Sequence, residues 1–209
     1  MISRRFLLVI SWLCLLLVAG ETGLVFPAAG EDPMEHREER LKAFREKRNR
    51  YFKEDPQSPL KEKDRKRFKG LIYYPIDLKY AMVGRIERYP TEPKPLYVTL
   101  STNKGPGKKY VKYGRFDFKL EGQKYSLQIY RPVGGGEFFL PFKDRTSETE
   151  THGEGRYLHI EPMPEGKVLI DFNRAYNAFC EFDEKYTCPL APAENWLPVS
   201  VRAGEKRFR

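Results

Sequence analysis

The chain is predicted to fold as a mainly β protein, a single antiparallel barrel or sandwich domain preceded by one or two N-terminal helices. Three observations carry that prediction. Aromatic residues make up 14%, with 14 Phe and 13 Tyr against 2 Trp, and such side chains suit the half-buried face of a strand. Segments of alternating apolar and polar residues recur from residue 71 onward. Turns rich in Gly and Pro lie between them, at 103–107, 134–136 and 162–166.

Residues 1–30 read as a secretory signal peptide. Arg4 and Arg5 precede an apolar run at 6–19, and small residues follow. The run is shorter than the roughly 20 residues a membrane-spanning helix needs. Two cleavage points fit, after Gly20 and after Gly30. Ser3-Arg4-Arg5-Phe6-Leu7-Leu8 is similar to a twin-arginine export motif. The short positive region and the Leu-rich run favour the general secretory route instead. Cys14 follows bulky Trp12-Leu13 and reads as part of the signal peptide, not as a lipid-modified cysteine. The expected location is the periplasm or cell envelope, with membrane contact through the signal peptide alone.

Residues 31–69 read as a helical segment. Over 31–53, Asp32 suits the cap, Pro33 the first turn and Glu35 a capping box. Met34, Leu41, Phe44, Tyr51 and Phe52 form a narrow apolar stripe at helical spacing. The stripe is thin and acidic residues are many, so the helix is expected to pack one face on the domain rather than to lie on a membrane. Ser58 before Pro59 suits the cap of a second short helix reaching about Phe68, and Gly70 ends it.

Residues 70–209 form the predicted β domain. Its clearest part is 113–130. If Glu121-Gly122 is a two-residue turn, Phe118 faces Tyr125, Phe116 faces Leu127 and Gly114 faces Ile129 on one side. Arg115 with Gln128 and Asp117 with Ser126 fall on the other, and a one-residue slip would destroy both sets. Further strands are expected at 80–88, 95–101, 137–142, 156–161, 167–172 and 197–203.

The net charge is +9. Residues 31–70 hold 14 basic and 10 acidic side chains and residues 71–209 hold 22 and 18, so the surplus is spread along the chain. A nucleic-acid site needs clustered Lys and Arg with stacking aromatics, so no nucleic-acid partner is expected. A diffuse surplus fits attraction to anionic envelope groups.

Several segments together resemble the prokaryotic domain of unknown function family 1684, over about residues 51–205. They are Ser58-Pro59-Leu60, Phe68-Lys69-Gly70-Leu71, Tyr113-Gly114-Arg115, Leu140-Pro141-Phe142-Lys143-Asp144, and Gly155-Arg156-Tyr157-Leu158. They continue with Asp171-Phe172-Asn173-Arg174-Ala175-Tyr176-Asn177, Cys188-Pro189 and Ala203-Gly204-Glu205. Where the family pattern tends to Gly and Tyr, this chain has Glu148 and His152, and Glu154 and Ala178 depart from it too. The resemblance strengthens the fold and implies no activity.

Three places are candidates for chemistry. Cys180 and Cys188 are expected to form a disulfide in an oxidising compartment. Closing so short a loop stabilises by about 2–3 kcal/mol in the chain-entropy model. A thiolate metal site or a catalytic thiol is the rival reading, although the spacing matches no zinc pattern and no His is near in sequence. The polar segment 144–157 is the second place. There Asp144 or His152 is a candidate general base and Arg156 a clamp for an anion. The third is 171–177, where alternation puts Asp171 and Asn173 on one face. With Arg156, Tyr176 and Asn195 they are the candidate ligand-binding residues, although Asp and Asn also cap turns. The histidines have no metal-ligand spacing, so no metal site is expected, and no motif names a cofactor.

The expected function is an exported β-domain that binds a small or anionic ligand of the envelope. The alternatives are a hydrolase or transferase using the polar loop, and a structural or interaction protein of the envelope.

Overall fold

The computed structural model describes residues 34–208. The signal peptide and the expected cap residues Asp32 and Pro33 lie outside the described residues.

Helix α1 is Arg37–Glu54, later in starting than expected. His36 enters it with a left-handed φ of 51° and no side-chain cap. Leu41 and Phe52 are buried as the stripe requires, but Arg37 is buried in place of Met34. The reason is electrostatic: Arg37 meets two carboxylates, Asp171 at 2.8 Å and Glu161 at 3.0 Å. Helix α2 is Glu62–Arg67, and Ser58 does not cap it. The Ser58 hydroxyl donates to the Phe52 carbonyl at 2.6 Å, so it closes the end of α1 instead.

Eleven strands follow among the described residues: β1 Ala81–Gly84, β2 Ile86–Arg88, β3 Tyr97–Leu100, β4 Lys108–Leu120, β5 Gln123–Pro132, β6 Leu140–Asp144, β7 Arg156–Leu158, β8 Ile160–Pro162, β9 Val168–Asp171, β10 Tyr176–Asn177 and β11 Trp196–Leu197. They make three sheets, ordered β1-β9-β8, β10-β7-β6-β11, and β2 and β3 beside β4 with β5 on its other side. The sheets stack as a sandwich and do not close into a barrel. Among the described residues every pairing between these strands is antiparallel except β11 on β6.

The β4–β5 hairpin has the register read from its alternation. Phe118 pairs with Tyr125, Phe116 with Leu127, Gly114 with Ile129, Arg115 with Gln128 and Asp117 with Ser126. Glu121 and Gly122 both take positive φ, 50° and 79°, as a two-residue turn matched to strand twist demands. Both strands run further than expected, and a bulge between Lys112 and Gly114 keeps the longer ladder in step.

The segment 197–203 is not the expected strand: β11 stops at Leu197. Beyond it, side chains replace the ladder. The Val201 amide donates to Asp144, and the Val201 and Ala203 carbonyls accept from Arg156. β10, in turn, is a strand inside the segment read as polar turn chemistry.

The core draws on all three sheets. Phe116, Phe118, Leu127 and Ile129 of the hairpin pack with Met82 and Ile170, Leu140, Phe142 and Leu158, and with Val201 and Ala203. A second cluster of Phe52, Leu60, Leu71 and Phe182 seats the end of α1.

Candidate functional site

Asp144 ends β6 and Arg156 opens β7, and the two strands bring them together. Gly155 makes the close approach possible. Its φ is 98°, and a Cβ there would stand 2.5 Å from the Phe142 carbonyl. Arg156 Nη2 donates to Asp144 Oδ2 at 3.0 Å and to the Val201 carbonyl at 2.8 Å. Its Nη1 donates to the Ala203 and Glu205 carbonyls, and its guanidinium lies 5.1 Å from the Phe142 ring centre. Asp144 Oδ1 accepts from the amide and hydroxyl of Thr146, and Oδ2 accepts from the Val201 amide. The two side chains are 1% and 0% exposed. Burial pushes the Arg156 guanidinium down, and Asp144 pulls it part of the way back. The pair acts as a clasp, binding the C-terminal segment to the β6–β7 sheet.

The other residues expected to bind ligand are placed as follows. Asp171 is buried beside Arg37 and accepts from the amide and side chain of Asn173, both at 2.8 Å. Asn173 also pairs with the backbone of Asp77 through both side-chain ends. Asn195 is fully buried and joins β5 to β6. It accepts from the Gln128 amide and donates to the Gln128 and Pro141 carbonyls. Tyr176 is half-buried, stacked on His159 with ring centres 5.0 Å apart, and burial pushes its hydroxyl up to about 12. Asp171 and Asn173 are brought together, but by turn capping and not by strand alternation: Asp171 caps the 3-10 turn Phe172–Arg174 through the Asn173 amide. Arg156 and Asn195 serve separate internal networks.

His152 lies in different company. Its Nδ1 is 2.6 Å from Glu181 Oε2, and its Nε2 is 3.6 Å from the Cys180 sulfur. The Glu181 carboxylate can only accept, so Nδ1 carries the proton and Nε2 presents a lone pair to the thiol. Glu181 is itself held by the Phe208 amide at 2.7 Å. Burial pushes the Glu181 carboxyl up. The hydrogen bonds from His152 and Phe208 outweigh that and hold it below the usual carboxylate range.

Cys180 and Cys188 are both thiols in this structure, so the expected disulfide is not formed here. The Cys180 amide donates to the Cys188 sulfur at 3.3 Å. Local structure sets this pairing. Cys180 sits in a 3-10 turn over Phe179–Glu181, Asp183 turns the chain back by accepting from the Lys185 amide, and Asn103 anchors Cys188 through its amide at 2.8 Å. Sharing with Cys180 lowers the Cys188 thiol to about 6, and Cys180 is pushed up in return. Glu181 was missed from the sequence, and no local signal marks it: His152 reaches this corner across 28 residues.

A groove of about 380 Å³ lies along α1, where α1 meets β8 and the end of β9. It is lined by Arg37, Arg40, Lys47 and Arg174 against one carboxylate, Glu161, with Leu41 and Phe44 as apolar lining. Glu161 receives Arg37 and Arg174, and the Arg174 guanidinium lies 4.7 Å from the Phe44 ring centre. Lys47 is exposed and has no ion pair among the described residues. Among the described residues no group of His, Cys, Asp and Glu is arranged to hold a metal ion. No helix among them is long and apolar enough to cross a membrane.

The family model for the protein of unknown function DUF1684 matches residues 66–206, which is the β domain and the approach to it. The solution NMR structure of an uncharacterized protein from Haloarcula marismortui is similar, with 32% identity and a TM-score of 0.63. That match covers 82% of this chain and 95% of the other. No curated protein matches the chain. A family match over most of the described residues and a structural relative of this identity and coverage agree: the chain belongs to the DUF1684 family.

Proposed function

We propose that the chain is an exported, periplasmic or envelope-located β-domain protein that binds a small anionic ligand in the groove between α1 and the β8 edge strand. One observation carries the reading: four cationic side chains line that groove, where Arg37 is paired with Asp171 and Glu161, Arg174 shares Glu161, and Lys47 stands open to solvent. Arg174 presents a flat guanidinium beside Phe44 there, which suits a planar or phosphate-like anion. Arg156 and Asn195 are committed to internal networks and do not line the groove. Export rests on the Arg4-Arg5 start and the short apolar run, and a Cys180–Cys188 disulfide belongs to the oxidising setting that export supplies.

The test is titration of the protein with inorganic phosphate and pyrophosphate, followed by calorimetry or backbone amide shifts. Binding is expected to perturb α1 and β8, to weaken with salt, and to be lost in Lys47→Glu with the fold intact. Equal affinity in Lys47→Glu and in Arg174→Gln would remove the groove as the site. N-terminal mass analysis of the chain recovered outside the cytoplasm tests export, with a start at residue 21 or 31 expected.

A further inference from the structure

The corner at Cys180 holds groups that neither the core nor the anion groove needs. A buried structural cysteine requires no base. Cys180 is half-buried and has an imidazole nitrogen 3.6 Å from its sulfur. That imidazole is oriented by Glu181, and both side chains are close to buried, at 12% and 10% exposure. Cys188, 7% exposed, stands behind Cys180 with its sulfur already hydrogen-bonded to the Cys180 amide. Tyr157, Phe179 and Tyr186 pack around the two sulfurs. The lower of the two thiols, Cys188, is shielded from an external disulfide; Cys180 is the more open of the two, its thiol is held up, and a base is set on it. That division of labour is the one thiol–disulfide exchange requires.

We propose that Cys180 and Cys188 form a thiol–disulfide exchange site that reacts with a small external disulfide, with His152 as the base for Cys180. The aromatic walls around the half-buried sulfur admit a small disulfide more readily than a folded protein chain. His152 Nε2 takes the Cys180 proton. The thiolate attacks one sulfur of the external disulfide, whose S–S bond breaks, and the released thiolate takes the proton back from His152. Cys188 then attacks the Cys180 sulfur of the mixed disulfide. The Cys180–Cys188 bond forms and the second external group leaves as a thiolate; Cys188, the lower of the two thiols, brings no proton to this step. Two cysteine thiols are oxidised and one external disulfide is reduced to two thiols; two external thiols drive the reverse. Glu181 is a positioning residue, holding the ring orientation and tautomer of His152 through its Nδ1. Glu154 and Lys108 are the other charged groups that act on the pair, opposing and favouring thiolate respectively.

The experiment uses oxidised glutathione as the probe, with timed alkylation and mass analysis of the reduced protein. Wild type is expected to close to the internal disulfide without accumulating an adduct. Cys188→Ser is expected to trap a glutathione adduct on Cys180. In a Cys188→Ser background, His152→Gln is expected to slow adduct formation at neutral pH by about 10²-fold, the lower end of general-base effects. The deficit should shrink as rising pH ionises Cys180 without help. Glu181→Gln should give a smaller loss with the same pH recovery. Three results would overturn the proposal. They are an adduct on Cys188 in preference to Cys180, an equal rate in His152→Gln at every pH, and an internal disulfide that reduced glutathione opens only after denaturation.

Discussion

Arg156 and His152 lie four residues apart on one polar segment, and their surroundings diverge. Arg156 turns inward at the start of β7 and uses both terminal nitrogens on Asp144 and on carbonyls of the C-terminal segment. His152 stays at the rim, with one nitrogen fixed by Glu181 and the other against a half-buried thiol. Both are polar groups with charged partners. The difference is what remains uncommitted. The clasp has been spent on holding the chain together, because a buried charge must have every strong partner satisfied. The corner keeps a lone pair and a thiol proton that can move. A polar loop on a β scaffold therefore divides into a structural part and a chemical part, and residue type does not say which is which.

The largest expected effect tests the structural side. Arg156→Met leaves Asp144 buried beside an apolar side chain, and breaking such a pair from one side costs about 3–5 kcal/mol. Urea unfolding measures it, and a cost under about 1 kcal/mol would erase the contrast between the two regions. Next comes Asn195→Ala, which strips partners from the Gln128 amide and from the Gln128 and Pro141 carbonyls. Its expected cost is about 1–3 kcal/mol for each group left unsatisfied, with water entry lowering the sum.

A pH dependence sharpens the chemical side. The folded Glu181 carboxyl titrates below its ordinary value of 4.5, so ionised Glu181 contributes stability above that value. The contribution is lost as pH falls through the lowered folded value. Glu181→Gln is expected to flatten the acid limb of the stability curve below 4.5, leaving the difference between pH 7 and pH 9 unchanged. An unaltered acid limb would mean that the His152–Glu181 contact is not held in solution. The smallest effect is the control: Lys47→Gln, on the exposed face of α1, should change stability by no more than about 0.5 kcal/mol.

Much of the fold was legible because its signals are local. The hairpin register followed from alternation on either side of Glu121-Gly122, and the turn supplied the two positive φ angles the register needs. The start of α1 was misjudged because a cap motif competes with a buried ion pair, and the partners of Arg37 lie 124 and 134 residues away. The segment 197–203 failed as a strand for a related reason. Its Val201 amide and its Val201 and Ala203 carbonyls are satisfied by the side chains of Asp144 and Arg156, which no periodicity within the segment records.

The sequence by itself determined the β class, the hairpin pairing, the family and the presence of a polar segment rich in Arg, Asp, His and Thr. Only the tertiary structure decided that Arg156, Asp171, Asn173 and Asn195 are buried and bonded internally, and that His152 meets Cys180 and Glu181. The physical reason is range. Turn angles and alternation act over a few residues and can be read along the chain. Desolvation and charge pairing depend on which distant residues share a site, and packing settles that only when the sheets close over one another.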